Sequence, residues 1–481
     1  MINTNLLLIV GYLSSRLQNL ATLPIFGDEA IYVRWAQLIK NVPSLFFVPL
    51  SDGKQPLFMW LNALTLRLFS DPLFSGRLIS VISGLAILLL LHHFLTLYFS
   101  RSVANIASLI YLTLPFSFFF DRMALADNLL SFFGLLSLYF SLNLAKKPQF
   151  KTAVYLGLVL GLSWLTKSPA VYFISLSVIT FLGFNFANLK KIYLVLFSGL
   201  IAFFLYNLLR LSPEFHLLAS RNRDYILSLS EFLSHPLYPF LPHLRDLIDI
   251  YHHYISLPLI LLASAGLFIS LAKKSSFPRH LLIVFFWWLA PTLVNCALGK
   301  TFTSRYLLYT LPPLIIIVSF TTDKLLLLNS RLKLLFVLSL IPNILWLRQI
   351  STSPFTTFIP KTESGYLHHW TSGWGIKEAS VYLKSRAKEV NVIVGTEGFF
   401  GTLPNGLQIY TDGVKQLTVI GTGIDIHQIP EQLVDAKNYG DEVYLLFNRS
   451  RLKLIPDDLA SLKLVTSYPK PYGDQLLFYQ L

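Results

Sequence analysis

The chain has 481 residues, of which 54% are hydrophobic, 15% aromatic and only 13% charged, with a net charge of +14 at pH 7. A soluble domain carries about 25% charged residues, so half the charge of a water-facing surface is missing and the composition is that of a membrane protein. A nucleic-acid partner is excluded by where the basicity lies: residues 1–348 hold 27 Lys and Arg against 12 Asp and Glu, while residues 349–481 hold 12 against 13. The excess sits among the apolar segments, as cytoplasmic-loop bias and anionic head groups require.

The first apolar segment, residues 4–24, carries Arg16, Gln18 and Asn19 in its second half. It lacks the basic start and small-residue cleavage site of a signal peptide and reads as an uncleaved first helix. Residues 25–77 form a long polar and aromatic loop holding Asp28, Glu29 and the run Gly53-Lys54-Gln55-Pro56-Leu57. The periodicity of Leu57 to Phe69 predicts an amphipathic helix along the membrane surface. Segments of bilayer length follow at 78–99, 102–120, 127–145, 152–166, 169–187, 191–209, 255–272, 280–298, 306–322 and 332–348, making eleven spans with the first.

Alternate connections differ in charge. One set carries Arg101, Lys146, Lys147, Lys151, Lys190, Lys191, Lys273, Lys274, Arg279, Lys324, Arg331 and Lys333, with Asp323 as its acid. The other holds nearly all the acids of this half, among them Asp28, Glu29, Asp121 and Asp127. The positive-inside rule then predicts a cytoplasmic N-terminus. The loops at 25–77, 119–127 and 210–254, and the tail, are expected outside.

From residue 349 no bilayer-length apolar run remains. Gly375–Ala387 and Pro430–Lys437 read as helices, and Val390–Val394, Val443–Phe447, Leu462–Ser467 and Gln475–Gln480 as strands. The expected fold is mainly α: a polytopic helical bundle over 1–348 and a small extracytoplasmic α/β domain over 349–481. The single cysteine, Cys296, rules out an internal disulfide and a cysteine metal centre.

Four constellations carry chemistry. Asp28 and Glu29 at an outer helix end supply a general base for an acceptor hydroxyl; equally, Asp28 caps the helix that follows. Asp121, Arg122 and Asp127 form either a solvated turn, with Arg122 pairing an acid, or a second carboxylate loop that orients the acceptor. That loop would also offer oxygen ligands to a divalent cation, with Asp28 and Asp127 the candidate ligands. Lys54, Lys167, Lys300 and Arg305 lie at outer span ends, where each snorkels to head groups or the set holds a phosphate. The basic and aromatic stretch 210–254, with Arg221 and Tyr225, is suited to closing over a lipid-borne ligand. No phosphate-binding glycine loop for a nucleotide occurs.

Several of these residues stand in an ordered series: Asp28-Glu29; Lys54-Gln55-Pro56-Leu57 with Trp60; Arg122-Met-Ala-Leu-Ala-Asp127; Gly161 to Lys167-Ser-Pro169; and Ser304-Arg305-Tyr306 to Pro312-Pro313. The series resembles the C-type membrane glycosyltransferases of the protein O-mannosyltransferase and lipid A aminoarabinose transferase group, in its prokaryotic branch, over residues 5 to about 325. The resemblance implies an inverting transferase that moves a sugar from a polyprenyl-phosphate donor to an extracytoplasmic hydroxyl at the cell membrane. Matching positions make Asp28 the base with Glu29 beside it, Asp127 the second-loop carboxylate, and Lys54, Arg305 and Lys167 the donor-phosphate contacts. Gln55 and Ser168 depart from the pattern, where proline and glycine are usual. A polyprenyl-pyrophosphate glycan ligase or polymerase, and a transporter of lipid-linked sugars, are the alternatives.

Overall fold

The computed structural model describes residues 4–186, 189–272, 277–329 and 331–481. Lys273, Lys274 and position 187, the end of one expected span, lie outside them.

Each segment expected to span is helical, but the helices are not eleven rods of bilayer length. Six described helices are long and apolar enough to cross a membrane: Pro72–Tyr98, Ala126–Lys146, Leu189–Leu211, Arg279–Leu298, Ser304–Leu326 and Leu332–Thr352. A seventh arises if Phe240–Tyr254 and Leu257–Ala272, bent by 107° at their junction, count as one. The first helix, Thr4–Leu17, has 14 residues. That is about 21 Å of rise, against a hydrocarbon core of about 30 Å.

The expected span 102–120 breaks into Arg101–Thr113 and Pro115–Phe120. Pro115 has no N–H for the carbonyl one turn back. That carbonyl, on Tyr111, is bonded instead by the Ser117 hydroxyl (2.6 Å) and the Arg16 guanidinium (3.1 Å), which also takes the Leu112 carbonyl (2.7 Å). Arg16, which made the first span impure, thus repairs a helix break in its neighbour.

Burial sorts the bundle. Helices Ser304–Leu326 and Ala126–Lys146 are 78% and 72% buried over their apolar windows, and Leu189–Leu211 and Leu332–Thr352 only 28% each. The first two form the interior; the others turn apolar faces to lipid. Helix Ala126–Lys146 packs against Pro72–Tyr98, Phe150–Thr166, Ala170–Asn185 and the 3₁₀ turn Ser304–Thr310. Chain polarity puts Arg101, Lys146, Lys147, Lys151 and Lys324 at one end of this bundle, and Asp127, Lys167 and Arg305 at the other.

The C-terminal domain holds a five-stranded sheet: β1 (Val392–Thr396), β2 (Leu417–Gly421), β3 (Glu442–Asn448), β4 (Lys463–Pro469) and β5 (Gln475–Gln480), in the order β2-β1-β3-β5-β4. β1 runs parallel to β2 and β3; β5 runs antiparallel to β3 and β4. The edge strand β2 and helix Asn405–Thr411 have no counterpart in the sequence reading, because both are short and sit between glycine turns.

The domain is joined to the bundle by backbone. Phe26 bridges to Ser372, Gly27 N–H donates to the Thr371 carbonyl (3.1 Å), and Gly373 N–H donates to that of Ile25 (2.8 Å). Farther along helix Gly27–Asn41, Gln37 donates to the Ile409 carbonyl and Arg34 pairs with Asp412. The loop that opens on Asp28 is therefore held from the tail side.

Candidate active site

Asp28 and Glu29 are neighbours in sequence but about 100° apart around a helix, and their surroundings differ accordingly. Helix Gly27–Asn41 begins one residue before Asp28, with Phe26 as its N-cap. The reach-back bond to that cap comes from Glu29, whose Oε2 accepts from Phe26 N–H at 3.0 Å. The capping role considered for Asp28 thus belongs to Glu29.

Glu29 is fully buried and saturated. Its two oxygens take a bidentate pair from Arg77 at 2.8 Å each, and Oε1 also accepts from Ala124 N–H at 2.6 Å. Arg77 spends its remaining N–H groups on the carbonyls of Leu20, Leu23 and Pro24. This knot ties three segments together and leaves Glu29 no free valence for a substrate. It is a positioning element.

Asp28 faces the other way. Its side chain is 22% exposed and pairs with Arg305, itself 13% exposed. Arg305 stands on the 3₁₀ turn Ser304–Thr310, among the rings of Phe26 and Tyr306. Burial pushes the Asp28 carboxyl up, but Arg305, then Lys54 and Lys167, outweigh it and bring it down to about 2.

Arg305, Lys54 and Lys167 line one cavity of about 350 Å³ together with Tyr32, Trp164, Tyr225 and Tyr306. Lys54 donates to the Tyr225 hydroxyl at 3.1 Å. Lys167 pairs with Asp127 at 2.5 Å and lies over the Tyr306 ring. Three of the four cations singled out in the sequence therefore line one space, an arrangement chemically suited to an anion. The fourth, Lys300, lines a neighbouring cavity and is bonded to Glu231 at 3.1 Å. Asp127 Oδ2, Arg305 Nε and Arg221 Nε are buried without a hydrogen-bond partner. Native proteins rarely leave such groups open unless a ligand or water completes them.

The 210–254 stretch contributes the cavity's far wall through helix Leu217–Tyr225, carrying Arg221, Asn222 and Tyr225. It comes close because Gly53 (φ +63°) has no side chain: a Cβ there would lie 2.4 Å from that of Arg221. The two departures from the family pattern prove to be partners. Gln55 donates to Ser168 Oγ at 2.7 Å, and Ser168 donates to Asn222 Oδ1 at 3.0 Å. This relay links the loops of Lys54 and Lys167 to the far wall.

The second-loop acids separate in the same way as the first pair. Asp127, in the first turn of helix Ala126–Lys146, is 3% exposed and reaches the site through Lys167. Asp121 and Arg122 do not form a solvated turn; both are buried away from the cavity. Asp121 pairs with Arg16 and accepts from Tyr111 and Asn128. Arg122 pairs with neither acid and donates instead to Ser351 and the Gln18 and Asn19 carbonyls. Burial among aromatic and apolar neighbours favours such paired groups, although Arg122 Nε is left without a partner.

For a divalent cation the donor set is a poor fit. Asp28 and Asp127 are each neutralised by a base, and no group of three or more His, Cys, Asp or Glu side chains gathers among the described residues. Two contributors went unnoticed in the sequence. Arg77 fell at the end of the expected 25–77 loop, whereas the structure carries it inside the apolar helix Pro72–Tyr98. Glu363, whose Oε1 accepts from Ser304 N–H at 2.8 Å, lies in a stretch with no pattern.

Residues 53–208 match the protein family described as dolichyl-phosphate-mannose-protein mannosyltransferase. No curated protein matches the chain. Among solved structures, the fold is similar to ArnT from Cupriavidus metallidurans in the apo state, at 16% identity and a TM-score of 0.57, over 98% of this chain and 96% of that one. The same protein bound to undecaprenyl phosphate gives 14% and 0.58, over 98% and 97%. The Archaeoglobus fulgidus oligosaccharyltransferase in complex with Zn and sulfate gives 12% and 0.51, over 93% and 68%.

Proposed function

We propose, from the premise that this multi-pass membrane chain has an ArnT-like, C-type glycosyltransferase fold, that it is an inverting glycosyltransferase acting outside the cell membrane. It moves a sugar from a polyprenyl-phosphate donor to an acceptor hydroxyl on a glycan, lipid or protein. The observation that supports the reading is one cavity lined by Arg305, Lys54 and Lys167, with the acid Asp28 paired to that arginine. The N-terminus is cytoplasmic and the cavity end extracytoplasmic, which agrees with the basic residues at the opposite helix ends.

Chemically, the acceptor oxygen bonds to the anomeric carbon as the carbon–oxygen bond to the lipid phosphate breaks. Asp28 takes the acceptor proton. Arg305 and Lys54 hold the phosphate as negative charge develops on it. Lys167, held by Asp127, fixes the wall between them. In the resting site Asp28 is bound to Arg305; an arriving phosphate competes for that guanidinium and releases the base. No step runs through a metal or a nucleotide.

Lys54→Ala or Arg305→Ala is expected to raise the donor KM about 10- to 100-fold, the worth of a hydrogen bond to a charged group. Steady-state kinetics at varied donor concentration measures it, and an unchanged donor response removes their phosphate role. Sugar-charged polyprenyl mono- and pyrophosphates assayed in parallel separate this transferase from a pyrophosphate-dependent ligase.

The release of Asp28 also sets the pH profile. A base works only when ionised, and its activity is lost as pH falls through its pKa. The free-site carboxyl lies at about 2 because Arg305, Lys54 and Lys167 overcome its burial. When the phosphate draws those cations away, the carboxyl rises. The acid limb of kcat is therefore expected at higher pH than that of kcat/KM; coincident limbs would contradict release.

A further inference from the structure

Residues 361–373 touch both halves of the site at once. At one end Glu363, 1% exposed, accepts from Ser304 N–H at 2.8 Å. In the middle the Tyr366 ring packs on that of Phe26, with centroids 4.2 Å apart. At the other end Thr371 and Gly373 bond the backbone of Gly27 and Ile25. The sheet domain grips the same segment from behind. Lys470, 3% exposed, donates to the Ser372 carbonyl at 2.5 Å, and the Thr402 hydroxyl donates to that of Thr371 at 2.7 Å.

The turn bearing Arg305 is also held farther along, where the Tyr306 and Leu308 carbonyls accept from Asn295 and Ser131, but its first residues have few such ties. Thr303 Oγ1, Ser304 Oγ and Arg305 Nε are buried without partners. Among the described residues, the backbone of 303–305 makes one hydrogen bond to a side chain of another segment, the one that Ser304 N–H donates to Glu363. A guanidinium displaced by about 1 Å loses much of its grip on a planar anion.

We infer that Glu363 is a positioning residue for Arg305, through which the C-terminal domain sets the phosphate-binding half of the site while its 371–373 segment sets the Asp28 half. The inference rests on the reading of Arg305 as a donor-phosphate ligand. What matters is the acceptor oxygen placed against Ser304 N–H, not the negative charge.

The test uses the full chain in detergent, with polyprenyl phosphate as the binding probe and the sugar-charged lipid for kinetics. Glu363→Ala and Glu363→Asp, the latter keeping the charge but withdrawing it by one methylene, are expected to weaken polyprenyl-phosphate binding and raise the donor KM about tenfold. Their kcat should change much less. Glu363→Gln, which keeps the acceptor oxygen, is expected to recover most of the loss. Wild-type affinity in the Asp and Ala variants overturns the inference, as does a Gln variant as impaired as Ala. If the Ala variant does not fold, the contrast between Asp and Gln decides. Arg305→Ala runs alongside: if it binds polyprenyl phosphate normally, the donor-site reading has failed instead.

Discussion

Asp28→Asn is expected to abolish sugar transfer while the protein inserts, folds and melts as the wild type does. Removing a general base costs about 10²- to 10⁴-fold in rate. The amide is close to isosteric, and its oxygen still accepts from Arg305, so little else changes. At 22% exposure, Asp28 is not among the packed groups that hold the fold. Transfer measured with a saturating donor, beside a melting curve in the same detergent, checks the result. A variant with full activity would falsify the assignment of the base, and an inactive variant that also melts early would leave Asp28 a structural acid.

The neighbouring residue is expected to behave in the opposite sense. Glu29→Ala or Arg77→Met leaves a fully buried charge without its partner, a loss of about 3–5 kcal/mol. Such variants should accumulate poorly and melt well below the wild type, with any surviving protein active. Many buried ion pairs can be replaced by apolar residues of similar volume at little cost. This one is not expected to be among them. Arg77 satisfies three carbonyls, and Glu29 satisfies the N–H groups of Phe26 and Ala124. A Glu29→Leu, Arg77→Met double variant would leave all five unpaired and should be no better than either single change. Recovery of stability in the double variant would show that only the charges mattered.

Asp28 and Glu29 mark the limit of what the sequence discloses. Their shared placement just beyond the first helix was legible, because the scarcity of acids in an apolar chain makes each conspicuous. That the two side chains meet different surroundings was not, since a step of one residue swings a side chain about 100° and only packing decides which side is core. Asp121 and Arg122 read as either a turn in water or a second carboxylate loop for the same reason. Polar residues at a predicted loop look solvated until Arg16, Tyr111 and Ser351 arrive from elsewhere to enclose them.

The helical bundle and most of the sheet followed from periodicity. The count of bilayer-length helices did not, because hydropathy does not register a break such as Pro115, repaired by a distant arginine. Lys54, Lys167 and Arg305 were findable as charges out of place. Glu363 was not, since its importance comes from one backbone N–H on the far side of the chain. Gln55 and Ser168 looked like two independent irregularities and are one hydrogen bond.

The two acids also differ in when they can be satisfied. Chains enter the membrane N-terminus first. Glu29 finds its counter-ion 48 residues later, within the same early stretch of synthesis, whereas Asp28 must wait for a residue 277 positions on. The segment that fixes its backbone is made later still. A product truncated before residue 371 would therefore keep the Glu29–Arg77 pair and lack the backbone bonds that hold the loop at Asp28.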